Sequence, residues 1–511
     1  MMVPGHTFET QDRAGFPVSA LLSLLADEAP RLLGDGSVRV SGVRQDSRLV
    51  EPGDLFVARS GGKVSGAQFA EAAVQRGAVA LLVERGAPLP AVAVPMIEVA
   101  DARRALGTVA EAVYGNPSRA LPLIGITGTN GKTTTAWLVE RALIGIGQKP
   151  ARLGTVGFAF AGESVDSALT TPEADDVSRY VARVRDAGGT QFVMEVSSIA
   201  ITLERVRGLR FQVAAFSNLT QDHLDFHASM TEYAEAKAQL FTSFAPAVSV
   251  LNVDDAFGNE LANRAHGRVI RVSKRPGADV YPLEISVGAK GIRGRIQTPS
   301  GEVELDSRLV GQHNLDNLLL ALGVLAGLGI DLQRASSALG SAPQVPGRLE
   351  RCDAPTDDVL VLVDYAHTPD ALERVLHSAR GMTEKRVLCV FGCGGDRDPQ
   401  KRPKMGAAVG ERADYAIITN DNPRSEDPRA IADAIEVAVK KTGVVYEVIL
   451  DRARAIEKAV LAAAPGDVIL IAGKGHEPYQ IIAGETHAFD DRIEARRALE
   501  LRRQRGGTWR A

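Results

Sequence analysis

The sequence predicts an α/β protein of three domains built on parallel sheets, and three observations carry that expectation. The chain has 511 residues, a length that suggests about three domains, each with its own core. A short apolar run, Leu121 to Ile126, passes through a Gly-rich turn into a helical pattern from Lys132, the strand–turn–helix order of a phosphate-binding unit. In the last third, four apolar strands each end in a polar or Gly-rich loop, which is how a doubly wound sheet presents a binding edge.

Taken in order, residues 1 to 117 alternate strands and helices. Val38 to Arg44 reads as a strand followed by Gln45-Asp46-Ser47-Arg48. Leu55 to Ala58 and Ala78 to Val83 are further strands, Ala67 to Arg76 is a helix, and Asp101 caps a helix towards Tyr114. Asp46-Ser47-Arg48 is either a polar turn or a loop holding an anionic ligand. The turn formers between Gly115 and Pro122 close this first segment.

In Gly128-Thr-Asn-Gly-Lys-Thr-Thr134, the glycines let backbone N–H groups converge on an anion. Lys132 adds a full charge, and Thr133 places a hydroxyl where a phosphate-bound Mg²⁺ would sit. The common spacing requires glycine at 126, where this chain has Ile126. The loop is nonetheless expected to bind nucleotide phosphate.

Phe192 to Val196 reads as a strand with Glu195 in its middle. A carboxylate there either holds Mg²⁺ or marks an edge strand facing water. Val213 begins a strand running into a loop with Asp222, His223, Asp225 and His227. That is either a ligand site beyond a strand's carboxyl end or a surface loop with incidental histidines. Ser229-x-x-Glu232 is a capping box opening a helix whose apolar stripe of Tyr233, Leu240, Phe241 and Phe244 also carries Lys237. Such a lysine either snorkels to water or has a chemically altered amine. Residues 245 to 310 read as further sheet, Gly311 to Asn317 opens a long apolar helix, and Ser341 to Gly347 forms a second linker.

The last segment holds the strands Val359 to Val363, Arg386 to Phe391, Tyr415 to Thr419 and Val468 to Ala472. Their loops are Asp364 to Asp370, Gly392 to Asp398, Asn420 to Arg424 and Gly473 to Glu477. A net charge of -4 argues against a nucleic-acid partner. The longest apolar run, Leu318 to Ile330, is too short to span a bilayer. There is no signal-peptide pattern at the N-terminus, and three cysteines fit reduced thiols. A cytoplasmic protein is expected.

Gly128 to Thr134, Glu195-Val-Ser-Ser198, Asn218-Leu-Thr-x-Asp-His-Leu-Asp225, Gly311-x-His-Asn314, Gly347-Arg348 and Asp364-Tyr-Ala-His367 together resemble the Mur ligases, the ATP-dependent amino-acid ligases of peptidoglycan precursor synthesis. Asp421-Asn-Pro-Arg424 is similar to the signature of the members that add meso-2,6-diaminopimelate to UDP-N-acetylmuramoyl-L-alanyl-D-glutamate. The resemblance implies a Rossmann-like UDP-binding domain over 1–117, a P-loop ATPase-type parallel-sheet domain over 118–345 and a C-terminal Rossmann-like amino-acid-binding domain over 346–511, in a chain expected to be a monomer.

It also implies roles by position. Gln45, Ser47, Gly62, Lys63 and Val64 would hold the UDP end. Thr170, Thr171, Ser197, Leu203 and Arg205 would hold the muramoyl-dipeptide. Gly128, Thr129, Asn130, Gly131, Lys132, Thr133 and Thr134 would cradle ATP, with Asn314, Asn317, Arg348 and Asp364 completing the nucleotide contacts. Thr133 and Glu195 would hold one Mg²⁺ and His223 a second, with Lys237 as a CO₂-derived carbamate in the metal site. Arg397, Asp421, Asn422, Pro423, Arg424, Gly473 and Glu477 would meet diaminopimelate. Two stretches depart from the family pattern. Ile199 and Leu203 replace the histidine and glutamine often found there, and Gly62 to Val64 lacks the His-Gln-Ala of some members. An L-lysine-adding enzyme, a folylpolyglutamate synthetase and a non-catalytic nucleotide-binding partner are the rival readings.

Overall fold

The computed structural model describes residues 15–60, 65–88, 91–224 and 226–506. The chain divides into two compact units. One runs to Tyr281 and adds Gln297–Gly301 and Leu319–Ala338; the other holds Pro282–Ile296, Glu302–Leu318 and the chain from Leu339 onwards. Among the described residues the mixed α/β architecture rests on three principal sheets of five, eight and six strands.

In the first unit, the five-stranded sheet runs in the order Arg31–Leu33, Met96–Val99, Ala80–Glu84, Asp54–Ala58 and Gly42–Arg44. All neighbours except the first pair are parallel. The strand expected over Val38 to Arg44 is two pieces. Arg39–Val40 pairs with Phe16–Pro17, whereas Gly42–Arg44 pairs with Asp54, Leu55 and Phe56, so the chain changes partner at Ser41. Asp101 caps the helix Ala102–Val113 by accepting from the amides of Arg103 and Arg104.

The eight-stranded sheet of the same unit has six parallel strands. Their order is Pro150–Gly154, Gln191–Glu195, Leu123–Thr127, Val213–Phe216, Val248–Asn252 and Arg268–Val272. An antiparallel pair, Gly157–Phe160 and Glu163–Val165, finishes one edge. The continuous apolar runs of these strands suit a parallel sheet covered on both faces. The helix Ala174–Asp186 contributes Ala174 and Ala182 to the core of the first sheet, among Val43, Leu55 and Val109. The two sheets therefore share packed interior.

In the second unit, Leu360–Asp364, Val468–Ala472, Val387–Phe391, Tyr415–Ile418 and Val445–Val448 run parallel in that order, with Glu350–Arg351 antiparallel at the edge. The four strands expected from their apolar runs are thus neighbours, and their carboxyl ends lie on one side. A hairpin, Tyr479–Ile482 with Glu485–Ala488, follows the last of them. No helix among the described residues is long and apolar enough to cross a membrane.

Candidate active site

Three parallel neighbours of the large sheet bring the first group of functional residues together. Glu195 pairs with Ile126 and Phe216 with Thr127, so the Gly-rich loop leaves the sheet between Glu195 and the loop beginning at Ser217. Glu195 is the last residue of its strand, not its middle, and that strand is central, not an edge. This excludes the water-facing alternative. The helix Lys132–Gly145 starts directly after the loop, with Gly131 at its N-cap, so its orphan amides and positive dipole end face the loop.

The loop after Phe216 braces the Gly-rich loop along its length. Thr129 N donates to Asn218 O at 2.7 Å. Asn218 Oδ1 accepts from Asn130 N at 3.0 Å, and Asn218 Nδ2 donates to Asn130 O at 3.1 Å. Thr129 Oγ1 donates to Thr220 O and sits 3.1 Å from the Tyr233 hydroxyl. A Cβ on Gly128, whose φ is +141°, would lie 2.0 Å from Ser217 Oγ. No larger residue fits there.

Two lysines meet at this loop. Lys132 Nζ donates to Gly128 O and Thr129 O, each at 2.9 Å, and Lys237 Nζ donates to Gly128 O at 2.9 Å. Lys237 is 1% exposed, which rules out snorkelling, and its amine lies 4.3 Å from the centroid of the Tyr233 ring. Burial, with the Lys132 charge added, holds the Lys237 ammonium well below the usual lysine range. Its helix, Met230–Thr242, is capped as expected: Ser229 Oγ accepts from Glu232 N. The reciprocal bond from Glu232 goes to Ala228 N, one residue earlier than the standard box.

Glu195 is buried and fully engaged. Its Oε2 accepts from Thr133 Oγ1 at 3.0 Å and Thr155 Oγ1 at 3.2 Å, and its Oε1 accepts from Thr155 N at 2.8 Å. A Cβ on Gly154 would come within 2.2 Å of Glu195 Oε1, so Gly154 leaves room for the carboxylate. Among the described residues no group of three or more His, Cys, Asp or Glu side chains could hold a metal. A hydroxyl and a carboxylate converging beside a phosphate loop nevertheless suit Mg²⁺, which commonly takes one or two carboxylates and completes its shell with phosphate and water.

Beside this pair lies a polar chain. Thr155 Oγ1 is 3.1 Å from Thr170 Oγ1, Thr171 Oγ1 donates to Glu195 O at 2.9 Å, and Ser197 N donates to Thr171 Oγ1 at 3.1 Å. Arg205 donates to Thr171 O at 3.3 Å and pairs with Glu173 at 2.9 Å; Glu173 also pairs with Arg59 at 3.3 Å. Leu203 follows the short helix Ser198–Thr202. His223 sits 6.1 Å, ring to ring, from Tyr233, and His227 Nε2 is 3.0 Å from Ser198 Oγ.

On the first sheet, Gln45 donates from both its backbone N and its side-chain Nε2 to Asp175, each at 3.2 Å. Ser47 opens the turn Ser47–Leu49, in which Asp46 accepts from Arg48 N and pairs with the Arg48 side chain. This is the polar-turn geometry. Gly62, Lys63, Val64 and Asp225 lie outside the described residues.

In the second unit, Asn314 and Asn317 are buried in the first turns of Gln312–Gly327. Asn314 Nδ2 donates to Val310 O and Asn317 Nδ2 to Asn314 Oδ1. Asp364 accepts from Leu349 N at 2.7 Å and Ala366 N at 2.8 Å. Burial raises its carboxyl above the usual range and the Arg348 charge opposes that rise. Arg348 lies over the Tyr365 ring at 4.8 Å. Asp421, Asn422 and Pro423 are buried, Arg397 is exposed, and Arg424 adopts φ +54° while its guanidinium donates to Gly395 O at 2.6 Å. A left-handed arginine is strained backbone of the kind that collects at functional sites.

Sequence reasoning gave no role to Thr155, Glu173, Tyr233 or Lys474. Thr155 was within reach, because it follows the carboxyl end of a parallel strand. The others depend on contacts no spacing reveals.

Comparison with known proteins agrees with this arrangement. Residues 39–114 match the Mur ligase family catalytic domain, 126–325 the Mur ligase middle domain, and 347–475 the Mur ligase glutamate ligase domain. The chain is 44% identical over 494 residues to the UDP-N-acetylmuramoyl-L-alanyl-D-glutamate–2,6-diaminopimelate ligase of Gloeobacter violaceus, covering 96% of this chain and 100% of that protein. It belongs to the Mur ligase family. Within the family, the ligase of the same name from Streptomyces coelicolor is 44% identical over 489 residues, covering 94% of this chain and 96% of that protein. A solved structure of a ligase of that name superposes on this Mur ligase with a TM-score of 0.70 at 32% identity, covering 96% of this chain and 99% of that one. The fold extends to MurF of Thermotoga maritima, with a TM-score of 0.62 at 19% identity over 91% of this chain and 99% of that one.

Proposed function

We propose that this Mur ligase joins meso-2,6-diaminopimelate to the D-Glu γ-carboxylate of UDP-N-acetylmuramoyl-L-alanyl-D-glutamate at the expense of ATP. The reading places the reaction in the cytoplasm, where ATP and UDP-linked precursors are held. It is supported by relatives of that name spanning the whole chain. The single structural observation that carries it is the convergence of Lys132, Lys237 and the Thr133–Glu195 pair on one Gly-rich loop.

The chemistry follows from charge. The γ-carboxylate must approach the γ-phosphate of ATP, both anionic, to form an acyl phosphate with ADP as leaving group; the amine of diaminopimelate then attacks the acyl carbon, forming the amide and releasing phosphate and a proton. Lys132 and the amides of Gly128 to Thr134 offset the triphosphate charge. Mg²⁺, which Thr133 and Glu195 would hold, with His223 for a second ion, would supply further positive charge to the phosphate oxygens. Thr170, Thr171, Ser197 and Arg205 hold and orient the dipeptide, with Arg205 fixed by Glu173. Burial disfavours the charged form of Lys237, and its neutral amine is the form that would add CO₂, with loss of one proton. The carbamate so formed would carry a carboxylate into an apolar site beside the loop. Asn314, Asn317, Arg348 and Asp364 serve the nucleotide, and Arg397, Asp421 to Arg424, Gly473 and Glu477 serve diaminopimelate.

The test is ADP release by purified protein, with the UDP-muramoyl-dipeptide and each candidate amino acid offered separately. The expected result is turnover that requires all three substrates and strongly favours diaminopimelate over L-lysine. Turnover independent of the dipeptide, or equal use of L-lysine, would overturn the reading.

A further inference from the structure

Lys474, in the loop after the strand Val468–Ala472, is 0% exposed. A buried ammonium is costly unless it is paired and hydrogen-bonded, and this one has specific partners. Its Nζ donates to Asn422 Oδ1 at 3.0 Å and Glu477 Oε2 at 3.3 Å, and it lies 5.4 Å from the Tyr479 ring centroid.

Asn422 closes the triangle. Its Nδ2 donates to Glu477 Oε2 at 3.0 Å, while its Oδ1 also accepts from Ile481 N at 3.0 Å. Both ends of the Asn422 side chain are therefore used within the protein. The hairpin straps the same loop twice more: Gln480 Nε2 donates to Asp421 O at 2.8 Å, and Arg424 N donates to Ile481 O at 3.0 Å. The contacts from Lys474 and Asn422 both end on Glu477 Oε2, which leaves Oε1 for a ligand.

We propose that Lys474 is a positioning residue for the incoming amino acid. It locks Asn422 and Glu477 into one arrangement, so that Glu477 is presented as an anion for the substrate's ammonium while Arg424 is held for a carboxylate. The inference rests on the proposed function and deepens it, because it identifies what holds the amino-acid pocket in shape. A dibasic, dicarboxylic amino acid is recognised by fixed charges at both ends, and fixed charges need a rigid support.

The experiment is steady-state kinetics on the full chain with Lys474→Met, an apolar residue of similar length. The expected result is a KM for diaminopimelate raised at least about tenfold, with kcat within about threefold and the KM values for ATP and the UDP-dipeptide within about twofold. A merely structural role would lower kcat and disturb all three KM values. In the Glu477→Gln background, adding Lys474→Met is expected to change the diaminopimelate KM by less than about threefold, because the pair acts as a unit. If Lys474→Met alone does not fold, the double variant decides, since removing the anion removes the need for the cation; the inference requires it to fold.

An unchanged diaminopimelate KM, parallel rises in all three KM values, or a double variant that does not fold overturns the inference. Wild-type protein inactive with diaminopimelate would instead sink the proposed function. The Lys474→Met comparison is then made with whichever amino acid the wild type uses and judged by the same criteria.

Discussion

Replacing Arg452 by methionine should destabilise the second unit more than any surface change could. Arg452 and Asp491 are both 0% exposed. Arg452 donates to Asp491 through Nε and Nη2, each at 2.7 Å, and also to Asn420 O at 3.1 Å and Ala472 O at 2.9 Å. The substitution leaves an unpaired carboxylate in the interior and removes the partner of two carbonyls, a loss of roughly 3–5 kcal/mol by analogy with other broken buried pairs. For a unit of this size that corresponds to a fall of roughly 6–20 °C in the midpoint of its calorimetric transition. Arg452→Met/Asp491→Leu removes both charges and should recover most of the loss. The two carbonyls close the strand ends that lead to Asp421 and Gly473, so the single variant should also bind diaminopimelate poorly before it unfolds. A single variant costing less than about 1 kcal/mol, the range of an exposed pair, would refute the argument. So would a double variant no better than the single.

Lys237→Ala should abolish ATP turnover, with partial return on adding short carboxylates; full activity in the variant would remove the carbamate from the reading. Arg424→Ala should weaken apparent diaminopimelate affinity by about 1.5–3 kcal/mol, the worth of a charged hydrogen bond, and leave ATP affinity unchanged; unaltered diaminopimelate affinity refutes the role. Burial first, then the neighbouring charge of Asp176, pushes the Asp175 carboxyl up to about 7, and burial pushes Asp54 up to about 6. Both groups hold protons more tightly folded than unfolded, so their contribution to the first unit's stability should be full below about pH 4 and decline as pH rises towards 7. Asp175→Asn should flatten that decline in denaturant titrations run at several pH values. A decline of wild-type steepness in the variant would assign it to other groups.

The elements at this site were legible wherever a local rule governs them. Gly128 to Lys132 reads as a phosphate loop because glycines and a following helix start are written in adjacent positions. Glu195 stood out because a carboxylate in an apolar run needs a partner. Its exact place was misread by one step, since periodicity alone does not show where a parallel strand ends. Lys237 was conspicuous on its apolar stripe with Tyr233 one turn before it, yet only the fold brings Gly128 O to it. Lys474 gave no signal in sequence because Asn422 reaches it from the loop after Tyr415–Ile418, a strand separated from Val468–Ala472 by Val387–Phe391; only Glu477, three residues on in the same loop, was near it in sequence. Gln45 illustrates the converse: resemblance assigns it to the UDP end, and only the fold shows that its Nε2 donates to Asp175 while its Oε1 is buried without a protein partner among the described residues.

The helix Ala174–Asp186 packs into the cores of both of the first two sheets, and Glu173 just before it pairs with both Arg59 and Arg205. On the proposed reading, the nucleotide-sugar handle and the phosphate loop then belong to a single rigid jig. The distance from acyl donor to triphosphate is set when the chain folds and need not be rebuilt at each turnover. Loosening Glu173 should accordingly blur the match between a long substrate and its point of activation, and truncated substrates lacking the sugar handle should notice the change least.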